Sequence, residues 1–204
     1  MATLFSSVLG FLILLAVSQA ADPSCEDLTK PLVLEDDYSS IMGKWIFTEG
    51  IANHPLFTNI LLTANSSWVE FAPSSLKDTV ILSQGNKLNG KCEFTTINAT
   101  VKNNKFFATE KEVTSEGDFL PSCSDCLTMH FVSQINSTTI NTLYLFTKAP
   151  KASESEMDLY WKQAECLSFK KEPQFSYDGV TEFCQEEKNS SSKEHTKPEH
   201  KNNE

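Results

Sequence analysis

The stretch Gly43-Lys44-Trp45-Ile46-Phe47-Thr48-Glu49 begins the part of the chain that decides the fold. Its side chains alternate between two faces, and Trp45, Phe47 and Glu49 share one of them. This period of two is typical of a β-strand with one buried face. The stretch therefore predicts a first strand that points a row of large side chains toward a core.

Seven further short apolar segments follow, separated by turn signals such as Pro73, Gly85-Asn86 and Asn103-Asn104. They show little helical periodicity, and their spacing is typical of strands joined by tight turns. Eight short strands within the length of one domain predict an all-β fold, either a closed antiparallel barrel or a sandwich. The seven further predicted strands cover residues 65–71, 79–84, 92–101, 105–111, 119–120, 127–133 and 142–147.

One segment after residue 20 is firmly helical. Ser153 or Ser155 can cap a helix over residues 154–167, and acidic residues follow early, where they favour a helix N-terminus. We expect this helix to pack its apolar stripe on the outer wall of the barrel. A shorter helical turn is predicted over 36–42. The stripe consists of Met157, Tyr160, Trp161, Ala164 and Leu167.

The two ends of the chain differ in composition from the middle. Residues 8–17 form an apolar run and Ala20 follows as a small residue, so we expect a signal peptide over 1–20 rather than an uncleaved anchor. The rest of the chain offers no second apolar run long enough for a membrane span. We expect one domain over 21–186 and a disordered polar tail over 187–204, which lacks large apolar side chains. The protein is therefore expected to be secreted and extracellular.

Charge and modification signals fit that location. The chain has no arginine, and 17 lysines face 27 carboxylates for a net charge of −10, which argues against binding nucleic acid or anionic membranes. Six cysteines predict three disulfides in an oxidising compartment, and their spacing leaves the pairing open. Four sequons mark candidate glycosylation sites at Asn65, Asn98, Asn136 and Asn189.

The first strand, the strand count and the helix resemble the lipocalin family, and within it the α-1-acid glycoprotein group. Apolipoprotein M and the fish saxitoxin- and tetrodotoxin-binding proteins are related carriers. The resemblance implies an eight-stranded antiparallel up-and-down barrel with one C-terminal helix on its wall. It rests on Gly43-Lys44-Trp45, on Phe71-Ala72-Pro73 with Asp78-Thr79, on Lys148-Ala149-Pro150, and on Ala164-Glu165-Cys166-Leu167.

The resemblance also implies a disulfide framework. It pairs Cys25 with Cys166 and Cys92 with Cys184, which leaves Cys123 and Cys126 for each other. Because this Cys-X-X-Cys pair lies beside a turn, a structural staple is favoured over redox activity or metal binding, which stay open as alternatives.

One position departs from the family. Lipocalins usually place an arginine over the barrel tryptophan, and this chain has none. Lys170 is the expected substitute as a cation over Trp45.

Alternation along the strands, with the resemblance, predicts which side chains line the barrel. Glu49, Gln84, Glu110 and Tyr144 are the candidates for hydrogen bonds to a ligand, and a carboxylate at Glu110 would favour a basic or polyol ligand. Regular alternation would turn Asn65 inward, so a bulge or a later strand start is needed there. A solid, ligand-free core is the alternative. The predicted ligand-binding residues are Trp45, Phe47, Glu49, Val69, Phe71, Gln84, Glu110, Met129, Phe131, Tyr144 and Phe146.

The function expected from these features is a carrier of a small lipophilic or amphiphilic ligand, and Glu110 extends this class to basic ligands. An acute-phase-type glycoprotein that modulates immunity through its glycosylated surface is the alternative. We expect no enzyme, cofactor or metal, and a monomer. The four histidines show no catalytic or metal spacing, and residues 59–73 lack the cysteine that a lipocalin-type prostaglandin synthase needs.

Overall fold

A computed structural model describes residues 22–110 and 113–185, without the side chain of Glu110. The predicted signal peptide, the tail over 187–204 and the sequon at Asn189 lie outside the described residues. The helices are α1 Cys25–Thr29, α2 Pro55–Thr63 and α3 Glu154–Cys166, and a 3₁₀ turn spans Ser39–Ile41. The strands are β1 Gly43–Ala52, β2 Ala64–Pro73, β3 Thr79–Leu88, β4 Lys91–Lys102, β5 Lys105–Glu110, β6 Val113–Leu120, β7 Cys126–Ile135, β8 Thr138–Thr147 and β9 Phe175–Ser176.

Strands β1 to β8 form a closed antiparallel up-and-down barrel, as predicted. Each strand pairs with the next along the chain, and β1 pairs with both β2 and β8. The short strand β9 pairs with β1 at Glu49 and Gly50, beyond the part of β1 that pairs with β2. The C-terminal arm therefore extends the barrel wall beside β1.

The long helix α3 packs on the outer wall, which confirms the predicted position. Tyr160 and Ala164 are buried in a cluster with the outward side chains of Leu143 and Leu145. The Tyr160 hydroxyl donates to the carbonyl oxygen of Leu143 at 2.8 Å. Ser153 caps the helix and forms a reciprocal capping box with Glu156.

Strand β3 runs past Gly85-Asn86, where a turn was expected. A Cβ atom on Gly85 would lie 2.5 Å from the indole Nε1 of Trp68, so this glycine gives the ring room and marks no turn. The turn lies instead at Asn89 and Gly90, which have φ values of 48° and 77°. Strand β6 is likewise longer than its two predicted residues, because its polar first half pairs with β5 and β7.

Helix α2 was not predicted. It begins with Pro55, whose missing N–H costs nothing at the first helical position, and His54 Nδ1 accepts a hydrogen bond from the backbone of Leu56 at 3.2 Å. Leu61 is buried against the barrel interior. No helix among the described residues is long and apolar enough to cross a membrane.

A bulge at Asn65 supplies the irregularity that the sequence required. The register with β3 shifts between Ala64 and Ser66, so Asn65 is the extra residue and is exposed. Its Oδ1 accepts from the backbone of Gly90 at 2.8 Å. The bulge lets Ser67 and Val69 face inward while Asn65 faces solvent.

Two disulfides hold the terminal arms against the rest of the domain, and a third closes the turn between β6 and β7. Cys25 is joined to Cys166, Cys92 to Cys184, and Cys123 to Cys126, the pairs that the resemblance implies. The first two close long loops, where chain-entropy models assign a stabilisation of roughly 4 kcal/mol each.

The barrel end near the 3₁₀ turn, here called the closed end, is filled by large side chains. Trp45 is 2% exposed, and its indole donates to the carbonyl oxygen of Ile41 at 2.8 Å. The cation over its ring is Lys148, with Nζ 3.4 Å from the ring centroid, so the prediction for Lys170 is wrong. Lys148 reaches this position because it directly follows β8, which pairs with β1, and its Nζ also donates to the carbonyl oxygen of Lys44 at 3.0 Å.

Candidate binding cavity

The opposite end of the barrel, here called the open end, encloses a cavity of about 490 Å³. Helix α2 lies across this end, and its side chains close part of the cavity. Most of the lining is aromatic or aliphatic, and the remainder is uncharged and polar. The apolar lining residues are Phe47, Phe57, Ile60, Leu61, Ala64, Val69, Leu82, Leu88, Ile97, Phe106, Ala108, Val113, Phe131 and Phe146; the polar ones are Ser67, Gln84, Asn86, Ser115, Ser133, Thr142 and Tyr144.

The structure brings six of the eleven predicted residues to this cavity. Three others, Trp45, Phe71 and Met129, face the barrel interior below it, in the filled closed end. They are at most 2% exposed and are absent from the cavity lining. They therefore support the floor of the cavity from below. The six that line the cavity are Phe47, Val69, Gln84, Phe131, Tyr144 and Phe146.

The inward placement predicted for Glu49 is wrong. A bulge in β1 shifts the register between Phe47 and Glu49, so Phe47 pairs with the inward Phe146 and Glu49 with the outward Leu145. Residues beyond a bulge reverse their facing relative to regular alternation. Glu49 therefore lies on the outer side of the barrel wall.

On that outer side, Glu49 is buried under the C-terminal arm and is 4% exposed. The hydroxyl of Ser176 on β9 contacts both carboxylate oxygens, at 2.7 and 2.8 Å. Burial raises the pKa of Glu49 from an ordinary value of 4.5 to about 7, and the hydrogen bond from Ser176 opposes part of that rise. Glu49 thus binds β9 to the outer wall and does not line the cavity.

Two pairs of polar lining groups already bond to each other. The hydroxyls of Ser115 and Ser133 are 2.7 Å apart on the facing strands β6 and β7. On the opposite side of the barrel, the Ser67 hydroxyl on β2 donates to Asn86 Oδ1 on the paired strand β3 at 2.6 Å. These four groups need no ligand to satisfy their main hydrogen bond.

Three other polar groups face the cavity without such a partner. Gln84 makes no side-chain hydrogen bond with another described residue, and Thr142 Oγ1 is buried without one. Burial raises the pKa of Tyr144 to about 12. The nearby Thr142 hydroxyl opposes part of that rise in the pKa. The Thr142 and Tyr144 hydroxyls nevertheless form no hydrogen bond with each other. Gln84, Thr142 and Tyr144 can therefore orient a ligand.

Charge is absent from the cavity lining among the described residues. The side chain of Glu110, the predicted carboxylate, lies outside the described part, although its backbone ends β5 and pairs with Val113. The preference for a basic ligand therefore rests on Glu110 alone and stays a prediction.

Several residues that line the cavity were not predicted from the sequence. Phe106 and Ala108 alternate on β5 and could have been found from the same period of two that identified Phe47. The side chains of α2, Phe57, Ile60 and Leu61, carried a weaker signal. Pro55 as a helix start was the available hint.

The two histidines that the structure describes lie away from the cavity. His54 caps α2, and His130 lies half-buried on the outer wall beside Phe169, with a pKa lowered mainly by burial. His195 and His200 fall outside the described residues. One group with metal-ligand spacing occurs in the described residues, Cys123 and Cys126 with Glu156, but its two sulfurs are joined in a disulfide.

The amino-acid sequence was compared with family models and with the sequences of known proteins. No family model matches the chain. It is 28% identical over 179 aligned positions to saxitoxin and tetrodotoxin-binding protein 2 of Takifugu pardalis, covering 78% of this chain and 44% of the relative. The match to protein 1 of that fish is also 28%, over 94% of this chain and 52% of the relative. The chain spans about half the length of the curated relatives it matches.

Solved structures share the architecture. Siderocalin Q83, with a dual ligand binding mode, superimposes with a TM-score of 0.61 at 14% identity, over 73% of this chain and 95% of that one. A dog lipocalin allergen gives 0.59 at 13% identity, over 72% and 98%. The chain therefore has the lipocalin fold. The expected closeness to the α-1-acid glycoprotein group stays a prediction.

Proposed function

We propose that the protein is a carrier that binds a small lipophilic or amphiphilic molecule inside its barrel. The single observation that carries this proposal is the cavity of about 490 Å³ at the open end, lined mostly by apolar side chains. Small-molecule sites are typically enclosed, mostly apolar, and fitted with a few polar groups that orient the ligand. The cavity has this composition.

The arrangement of aromatic rings supports binding of an apolar body. Phe47 stacks on Phe175 of β9 with ring centroids 4.5 Å apart, and Tyr144 meets the edge of Phe47 at 5.1 Å. Phe131 lies 5.8 Å from Tyr144. Rings held by one another present a preformed apolar wall, so little side-chain entropy is lost when a ligand docks.

The relatives support binding and not catalysis. The fish proteins are named for binding saxitoxin and tetrodotoxin, and we extend only the general activity, small-molecule binding, to this chain. A basic ligand is favoured if the Glu110 carboxylate reaches the cavity, because it would supply a charge that the described lining lacks.

Titration of the folded protein with the fluorescent probe N-phenyl-1-naphthylamine tests the proposal. We expect saturable one-to-one binding, and we expect Ala108→Phe to weaken it because Ala108 lines the cavity. Ala149→Phe is the matched control, since Ala149 is exposed outside the barrel. Failure of the probe to bind, with native circular dichroism and intact disulfides, would show that the cavity holds no ligand.

We further propose that the protein is secreted as a monomeric glycoprotein after loss of residues 1–20. Three disulfides support an oxidising compartment. Asn65, Asn98 and Asn136 are all exposed, so each side chain is accessible for a glycan. Mass spectrometry of the protein from a secreting cell tests cleavage and occupancy together.

The exposed sequons favour a second candidate function, immune modulation through the glycosylated surface. Enzymatic removal of the glycans separates the two functions. Cavity binding should survive deglycosylation, because the three asparagines are exposed and absent from the cavity lining. Surface recognition by immune cells should be lost.

A further inference from the structure

The hydroxyl of Thr142 is buried in the cavity wall without a hydrogen-bond partner among the described residues. Thr142 is 1% exposed, lines the cavity, and its Oγ1 has no hydrogen-bond partner among the described residues. A buried hydroxyl without a partner lowers stability, and such groups in a native protein call for an explanation. A ligand atom in the cavity would provide the missing partner.

Tyr144 lies two residues along the same face of β8 and adds a second hydroxyl. Its ring is held between Phe47 at 5.1 Å, Phe131 at 5.8 Å and Phe146 at 6.4 Å. Burial keeps the phenol protonated, since its pKa is raised to about 12. Tyr144 is therefore a fixed hydrogen-bond donor across the physiological pH range.

The two serines of the cavity wall do not compete for these two hydroxyls. Ser115 and Ser133 bond to each other at 2.7 Å. The described lining contains no carboxylate to balance a cation and no ammonium group to balance an anion. Burying an unpaired charge is far more costly than burying a neutral polar group, so the described wall favours an uncharged ligand.

We propose that Thr142 and Tyr144 form a two-donor subsite for one acceptor oxygen of a neutral apolar ligand, such as a ketone carbonyl. This inference rests on the proposed carrier function and specifies the ligand class. A carbonyl oxygen has two lone pairs and can accept from both hydroxyls. The rest of the ligand would occupy the aromatic part of the cavity.

Three compounds on one skeleton test the subsite by displacing N-phenyl-1-naphthylamine. These are 2-acetylnaphthalene, 2-ethylnaphthalene and 1-(2-naphthyl)ethylamine, which present a ketone, a hydrocarbon and a cation. We expect the ketone to bind about tenfold more tightly than the other two, from two hydrogen bonds of ordinary net strength.

Variants of the two hydroxyls locate the effect. Thr142→Val and Tyr144→Phe should each reduce the advantage of the ketone over the hydrocarbon roughly threefold, and the double variant should abolish it. Hydrocarbon binding should be unchanged or tighter, because the cavity becomes more apolar. Thr139→Val is the matched control, since Thr139 is exposed on the same strand and should leave all three affinities unchanged.

The outcomes separate this inference from the carrier proposal. Equal binding of ketone and hydrocarbon, tightest binding of the amine, or a ketone preference that survives the double variant would each overturn the subsite. In those cases saturable probe binding still supports the carrier function. No probe binding by the folded protein would overturn both.

Discussion

The closed end of the barrel interior is filled by large aromatic side chains, whereas the open end encloses a cavity, although the same eight strands build both. On β5, Phe106 packs against the rings of the closed end and borders the floor of the cavity, whereas Ala108 lines the cavity further toward the open end. On β6, Phe119 is 1% exposed in the filled half, whereas Ser115 faces the cavity. The cavity therefore arises because inward side chains become smaller and more polar toward one end.

The sequence left two interpretations of the barrel interior open, a ligand cavity and a solid core. Each of them describes one end of the barrel. A solid aromatic core describes the closed end, where Phe106 and Phe119 meet edge to face with ring centroids 6.5 Å apart. A lined cavity describes the open end. Stability and ligand binding are thus expected to depend on different halves, and the following changes test that division.

Truncating a closed-end ring should have the largest effect on stability. Phe119→Ala removes a side chain packed against Phe71 and Phe106 and should lower the free energy of unfolding by about 3–5 kcal/mol. Phe131→Ala is the open-end counterpart and should cost less, because Phe131 already borders empty space. Denaturant unfolding measures both variants. Equal costs would contradict the division into two halves.

The bulge in β1 buries the Glu49 carboxyl on the outer wall, and we expect this burial to make the stability of the fold depend on pH. The folded pKa of Glu49, about 7, exceeds its ordinary value of 4.5, so the folded state holds the proton more tightly. The stabilisation is fully present below pH 4.5 and is lost as the pH rises through about 7, with a total of about 3 kcal/mol at most.

Glu49→Gln separates this dependence from other ionisations. The variant keeps a side chain of the same size beside Ser176 and carries no charge, so the fall in unfolding free energy between pH 4.5 and 7 should be smaller by the Glu49 contribution. Urea unfolding at several pH values measures it. An identical pH profile in wild type and variant would show that folding does not raise the pKa of Glu49.

The cation over Trp45 should have a moderate effect at the closed end. Lys148→Met removes the contact of Nζ with the ring and with the carbonyl oxygen of Lys44, and should lower the free energy of unfolding by about 1 kcal/mol. Lys170→Met is the control and should change it by less than about 0.5 kcal/mol. The reverse ranking would restore Lys170 as the partner of Trp45.

The last expected effect is as small as that of Lys148→Met, lies in the cavity and has the opposite sign. Thr142→Val replaces a buried hydroxyl that lacks a partner and should raise the free energy of unfolding of the ligand-free protein by about 1 kcal/mol. Thermal unfolding without ligand measures it. A destabilised variant would indicate that the hydroxyl has a partner, such as a bound water.

Much of the barrel could be predicted from local patterns. The strands around Trp45, Val69 and Met129 follow the period of two, and α3 follows from its Ser153 cap and apolar stripe. Strand β6 and helix α2 were harder, because the first is polar over half its length and the second has an exposed apolar face, with Leu56 and Leu62 at 47% and 64% exposure. Pairing with neighbours, and not propensity, forms β6.

The candidate site was predicted less completely, and Glu49 shows why. A single extra residue in a strand reverses the facing of everything beyond it, and the local pattern at Phe47-Thr48-Glu49 does not reveal that β8 pairs out of step there. Asn65 differs because its sequon made an inward position implausible, so the sequence itself required a bulge. The facing of Glu49 had no such independent marker.

The sequence by itself determined the strand periodicity, the α3 helix and the charge balance of the chain, because these depend on neighbours within a few residues. Tertiary structure alone decided which end of the barrel is hollow, which lysine covers Trp45 and where the Glu49 carboxylate lies. Those features depend on register and strand direction between segments far apart in the chain, where the shift of one residue exchanges interior for exterior.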